Sequence, residues 1–140
     1  MYKFVFKLQK ILEYKEALEK KTKEEYLSKR AQCIEIEEAI QQIIRQRNQV
    51  LMSSPVDLDS LQNKERYLLK LDEEERCQKI ALNVLQDESA KKLTKWQEKY
   101  QEAEALKKLK EHKKEAWLYL LNKEEQNQMD DFSMMRKKAS

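Results

Sequence analysis

The chain has 140 residues, of which 39% are charged and 40% hydrophobic, with no glycine, one proline and a formal net charge of +3. The absence of glycine excludes phosphate-cradling loops and dinucleotide-binding turns, because the backbone approaches a phosphate closely only where glycine removes the side chain. Charges of both signs alternate, which argues against a nucleic-acid partner, and a mean hydropathy of −0.97 allows a narrow apolar seam rather than a thick core.

The start of the chain predicts no targeting segment. Residues 1–7 lack the apolar core and the small-residue cleavage site of a signal peptide. The longest apolar run, residues 116–121, is far shorter than a membrane span. We therefore expect a cytoplasmic protein without direct membrane insertion, in which Cys33 and Cys77 are reduced thiols rather than a disulfide.

A first helix is predicted over about residues 3–52. Lys15, Lys29 and Arg47 interrupt its apolar pattern, which otherwise has the spacing of a coiled-coil seam, in steps of three and four residues or multiples of them. The seam residues are Leu8, Ile11, Leu18, Tyr26, Cys33, Ile36, Ile40, Ile43 and Val50.

A turn is predicted at residues 53–56 and a second helix over about residues 57–136. Ser54 can cap this helix, with Pro55 at the first helical position, where a missing N–H costs nothing. Because so short a connection makes two helices antiparallel neighbours, the expected fold is all-α, a single antiparallel two-helix coiled coil (a helical hairpin) with the second helix longer than the first. The second seam comprises Leu58, Leu61, Leu68, Leu71, Leu82, Leu85, Trp96, Ala103 and Leu106.

The turn also predicts the register of the pairing. If Leu51 lies opposite Leu58, the numbers of facing residues add up to about 109, and Cys33 lies level with Cys77. The acidic stretch at residues 72–75 interrupts the second seam. It is interpreted either as a solvated face or as a contact with a basic group.

The unequal helix lengths carry the functional prediction. At ~1.5 Å per residue the helices would be ~75 Å and ~120 Å long, so the second helix loses its partner near Lys107. An apolar stripe beyond that point suggests a surface for another protein; the alternatives are that the helix folds back or packs in a homodimer. The partner-binding candidates are Leu106, Leu109, Trp117, Leu120, Leu121 and Phe132, joined by the aromatic residues Tyr2, Phe4 and Phe6.

The sequence offers few side chains in the patterns of a catalytic or metal site. The one histidine, His112, has no cysteine or histidine at metal-ligand spacing, and a two-helix coiled coil offers no pocket for a nucleophile and its base. We therefore expect no catalytic, cofactor or metal site. A lysine cluster at residues 107–114 either steers an acidic partner or consists of lysines that keep an amphipathic helix soluble.

Several short segments resemble those of one known family. They are residues 6–12 after an aromatic start, residues 66–71 after the turn, residues 104–110, the run at 124–126 and the acidic pair Asp130 and Asp131. In this order and spacing, over nearly the whole chain, the sequence resembles the FliJ family, small coiled-coil proteins of the bacterial flagellar type III export apparatus.

The resemblance implies a non-enzymatic stalk or adaptor. Its expected partners are a hexameric flagellar export ATPase, a membrane export gate protein and export chaperones, and it would be held at the cytoplasmic face of the inner membrane through the export apparatus. An alternative from the residues is a prefoldin-like or other coiled-coil chaperone that binds protein clients, although no alternating strand pattern follows residue 52. A nucleic-acid-binding arm and a charged spacer helix are further alternatives.

Overall fold

The computed structural model describes residues 3–139, with side chains described to residue 138, and Tyr2 lies outside this range. It contains two α-helices, α1 (Gln9–Met52) and α2 (Leu58–Ala139), and no strand among the described residues. The predicted all-α fold with two helices, the second longer, is confirmed.

The first helix begins at Gln9, later than the predicted start near residue 3. Aromatic and β-branched residues such as Phe4, Val5 and Phe6 are weaker helix formers than the Leu, Lys and Glu that follow. The Phe6 side chain is instead buried at 8% exposure, and its carbonyl accepts the Gln9 N–H at 3.1 Å. Tertiary packing of Phe6 therefore takes the place of the six helical residues that were predicted before Gln9.

The second helix is capped by Asp57, not by Ser54 as predicted. The Asp57 carboxylate accepts the backbone N–H of Ser60 at 2.7 Å, which lowers the pKa of that carboxyl. An aspartate at this position satisfies an orphan N–H and also interacts favourably with the positive end of the helix dipole. At the other side of the turn, the Ser53 hydroxyl donates to the Val50 carbonyl at 2.6 Å.

The chain divides into two compact units. The hairpin unit is Lys20–Gln97 and contains the turn. The terminal unit combines the described residues up to Glu19 with those from Glu98 onward. Within each unit, α1 and α2 run antiparallel.

The seam of the hairpin unit is one stripe wide. Cys33 is fully buried and Leu71 is 1% exposed, and the rings of Tyr26 and Trp96 stack at 5.7 Å between centroids. Ion pairs flank this stripe. They join Glu25 to Lys92, Lys29 to Glu88, and Arg47 to both Asp72 and Glu75.

The predicted register is wrong. The numbers of paired residues add up to 117 for Lys29 with Glu88 and to 119 for Arg47 with Asp72, rather than to about 109. Leu51 and Leu58, the supposed facing pair, are 55% and 68% exposed. The charges decide the register because a half-buried guanidinium needs carboxylates opposite it.

The same shift accounts for the acidic stretch and the cysteines. Asp72 and Glu75 contact Arg47, so this stretch meets a basic group within the chain. Cys33 is buried and Cys77 exposed, both as free thiols. Because Lys29 faces Glu88, Cys33 lies about two helical turns from the level of Cys77, so their predicted proximity is wrong.

We predict that Leu71→Ala lowers the free energy of unfolding by about 2–5 kcal/mol, because it removes a fully buried side chain and leaves a cavity. Leu69→Ala is the matched control: Leu69 is 69% exposed, and its truncation is expected to change stability by less than about 0.5 kcal/mol. Urea unfolding followed by circular dichroism measures both. Equal losses in the two variants would contradict the described seam.

We further predict that only one thiol of the native protein reacts rapidly with a small disulfide reagent. Cys77 is exposed and should react at once, whereas Cys33 should react only when the hairpin opens. Labelling the variants Cys33→Ser and Cys77→Ser with and without urea tests this assignment. Rapid native labelling of the Cys77→Ser variant would show that Cys33 is not buried.

Candidate partner-binding surface

The predicted binding residues belong to the terminal unit. Its core is small: Leu12 is 3%, Phe6 8% and Ala103 2% exposed. Beside it, Lys15 Nζ lies 2.8 Å from a Glu102 carboxylate oxygen, and Lys99 Nζ lies 3.7 Å from the same oxygen. The hydrogen bond from Lys15 holds the pKa of the Glu102 carboxyl below its usual value of 4.5, with the Lys99 charge adding to the effect.

Residues 3–8, here called the N-terminal arm, extend the coverage of α2. The Phe4 ring packs on the Trp117 ring with 5.9 Å between centroids and a tilt of 49°. Because Lys15 pairs with Glu102, the first residue of α1, Gln9, lies level with about Lys108, so α2 loses its helical partner close to the predicted position. The arm, which was not predicted to be non-helical, extends the cover to about Trp117. A non-helical segment can span up to ~3.3 Å per residue against ~1.5 Å in a helix, so six residues reach further than helix geometry allows.

The two described aromatic residues of the arm, Phe4 and Phe6, lie in different environments. Phe6 is buried and Phe4 is half-buried against Trp117. Val5 points outward, with 76% of its surface exposed. Phe6 is thus part of the core of this unit rather than a free binding group.

The six predicted binding residues divide into two sets. Leu106, Trp117 and Leu121 are half-buried. Leu109 is 38%, Leu120 64% and Phe132 62% exposed. Leu109 and Leu120 lie to one side of the face that meets α1, as 3.6 residues per turn requires. Whether any of the six contacts a partner stays a prediction.

The face of α2 that packs in the terminal unit continues beyond the arm. From Ala103 its positions recur by three, four or seven residues through Leu106, Lys110, Trp117, Leu121, Gln128, Phe132 and Met135. Every side chain from residue 122 to residue 138 is exposed. We call the end of this face the uncovered stripe; it begins at the half-buried Leu121 and contains the exposed Phe132 and Met135, with Met129 at its edge.

Sequence reasoning missed part of this surface. Leu118 and Met129 are 41% and 71% exposed and lie at its edge, and the guanidinium of Arg136 sits 5.8 Å from the centre of the Phe132 ring. Leu118 and Met129 lie beside the seam positions, so the seam spacing that continues from Leu121 to Met135 did not indicate them.

Other kinds of site find little support in the described part of the chain. His112 is exposed, and residues 3–139 contain no cluster of three or more His, Cys, Asp or Glu side chains able to hold a metal ion. Neither helix, over its described residues, is long and apolar enough to cross a membrane.

Comparison with known proteins decides the family. The model of the flagellar FliJ protein family matches residues 4–140, nearly the whole chain. The chain belongs to this family. Neither the curated proteins nor the solved structures include a match. Membership of the FliJ family makes the chain a component of the flagellar export apparatus, and the resemblance noted from the sequence is confirmed.

The Glu102 cluster gives a pH prediction. Because its folded pKa is lowered, the pair with Lys15 stabilises the fold above the unfolded pKa near 4.5, and this contribution disappears as the pH falls through the lowered folded value. Lys15→Met should raise the pKa of Glu102 towards 4.5, as measured by carboxyl NMR titration. Glu25, whose pKa is lowered chiefly by its hydrogen bond from Lys92, is the internal control and should not change. An unaltered Glu102 pKa in the variant would contradict the pairing.

Proposed function

We propose that the protein is a non-enzymatic stalk of the flagellar export apparatus, coupling a hexameric export ATPase to the membrane export gate and handling export chaperones. In this role it is a cytoplasmic protein held at the inner membrane through its partners. The role requires binding surfaces and stiffness rather than catalytic side chains. Family membership supports the setting, and the uncovered stripe supports the docking role.

The uncovered stripe is the observation that carries the proposal. Phe132 and Met135 are 62% and 70% exposed, although they continue a face that is covered lower in the same helix. Burial of each large apolar side chain is worth roughly 1.5–3 kcal/mol. A subunit ring that receives the end of α2 would bury them, as the central stalk of a rotary motor is buried.

The arm changes the choice of anchor residues. A partner could reach the whole Trp117 ring only by displacing Phe4, because the two rings are in contact. We therefore propose Phe132, with Leu121 and Met135, rather than Trp117 as the central anchor of the contact. Leu120 and Leu109 would contact the flank of the partner site.

Coupling needs a second binding surface, and the turn of the hairpin unit supplies a candidate. Met52 and Val56 are 88% and 94% exposed, and Leu51 and Leu58 are more than half exposed. Apolar side chains gathered at a turn are available to another protein. We propose this group for the gate or chaperone contact.

The docking role predicts a difference between two adjacent methionines. Met135 lies on the uncovered stripe, whereas Met134, 63% exposed, lies about 100° away around the helix. Phe132→Ala with Met135→Ala should weaken binding to the assembled export ATPase ring by roughly 10–100-fold. Met134→Ala should change it by less than about threefold, with helicity intact in both variants.

Surface binding kinetics with the immobilised ring measure the effect, and circular dichroism controls for folding. Unchanged ring binding by the folded double variant would reject the stalk proposal. A client-aggregation assay run in parallel tests the chaperone alternative, since a holdase would suppress aggregation of many unrelated proteins and a stalk would not.

A further inference from the structure

Packing of the N-terminal arm on α2 assembles a basic surface that neither segment forms alone. Residues 3–10 and 107–114 together contain eight lysines and one carboxylate, Glu111. The whole chain has a net charge of only +3, so positive charge is concentrated here. We call these lysines the basic collar.

The arm lies between lysines on both of its sides. On one side, Phe4, Val5 and Phe6 line a groove together with Lys113. On the other side, the same three residues line a groove with Lys110 and Lys114. Seven of the eight lysines are exposed and Lys110 is half-buried.

Few acidic groups neutralise the collar. Glu104 precedes the collar segment of α2 in sequence, and its carboxylate lies 3.4 Å from Lys107 Nζ. Glu115 follows the segment directly. Lys110 and Lys114 line a groove with the arm. With one carboxylate among eight lysines, seven of them exposed, the collar keeps most of its charge available to an external group.

The collar lysines of α2 cover more than half of the helix circumference instead of facing one way. At about 100° per residue, the lysines from Lys107 to Lys114 point in directions spread over roughly 220° around the axis of α2. A flat bilayer meets only one side of a helix. The same surface continues into the uncovered stripe, whose aliphatic side chains, Leu121 and Met135, do not stack on nucleobases as aromatic side chains do. These two features favour a protein that encloses the helix.

We propose that the basic collar docks against a carboxylate-rich rim of the ring that receives the end of α2. This inference rests on the proposed stalk function and names the chemistry of its partner. The apolar stripe provides the buried contact, and the collar accelerates and orients the encounter, since charge complementarity acts mainly on the association rate.

The test compares two lysine pairs with identical spacing in the same helix. Lys110→Gln with Lys114→Gln removes two collar charges, and Lys91→Gln with Lys95→Gln removes two exposed charges of the hairpin unit. Association with the assembled export ATPase ring should slow about tenfold at low salt for the collar pair. The control pair should differ from the wild type by less than about twofold, and at about 0.5 M NaCl the collar effect should vanish because salt screens exposed charges.

The outcomes separate the two proposals. If the stripe variant loses ring binding while the collar pair behaves like the control pair, the collar proposal is overturned and the stalk function stands. If the stripe variant binds the ring normally, the stalk proposal is rejected, and the collar proposal, which rests on it, is rejected with it. If the wild-type protein does not bind the ring, both proposals fail.

Two further probes identify a different ligand. Capture of the protein by phosphatidylglycerol vesicles, or by single-stranded DNA, is measured for the same variants. If the collar pair lowers either of these while ring binding is unchanged, the collar serves a membrane or a nucleic acid, and the acidic-protein proposal is overturned. Helicity and tryptophan emission confirm that each variant is folded.

Discussion

The second helix carries an apolar face longer than the first helix can cover. A two-helix arrangement buries only one stripe per helix, so every residue of that face needs a neighbour at its own level. In the terminal unit the neighbour is first α1 and then the N-terminal arm, and beyond Leu121 every described side chain is exposed. Because the apolar face of α2 is longer than its cover, the end of the helix is exposed, and this exposed end is the proposed docking surface.

The arm shows how local preference and packing compete. Its aromatic residues are modest helix formers, and one of them, Phe6, gains more from burial than from continuing the helix. The cost is that helical hydrogen bonds are lost over residues 3–8. The result is a cap on Trp117 and a set of lysines brought beside those of α2, which links the packing of the arm to the electrostatics of the docking surface.

Charge determines details that the apolar pattern leaves open. In the hairpin unit the leucine and isoleucine spacing is compatible with more than one register, because a shift by a full heptad again places apolar beside apolar. The half-buried Arg47 restricts the register more strongly, since its guanidinium needs the carboxylates of Asp72 and Glu75 opposite it. Each cross-helix ion pair is weak at a surface, but together these pairs favour one register over the others.

The sequence by itself determined the fold class, the two helices and the turn between them, and the family, because helical periodicity, a single proline and the lack of glycine are local properties. The register, the cap at Asp57, the separation of Cys33 from Cys77 and the route of the arm were decided only by the tertiary structure. These features depend on which side chains pair across the seam. Apolar residues spaced by three and four positions are compatible with many such pairings. The candidate site divides in the same way. The apolar residues after Trp117 were visible in the sequence, whereas the cover over Trp117 and the collar required the N-terminal arm to be placed beside residues 107–117 of α2.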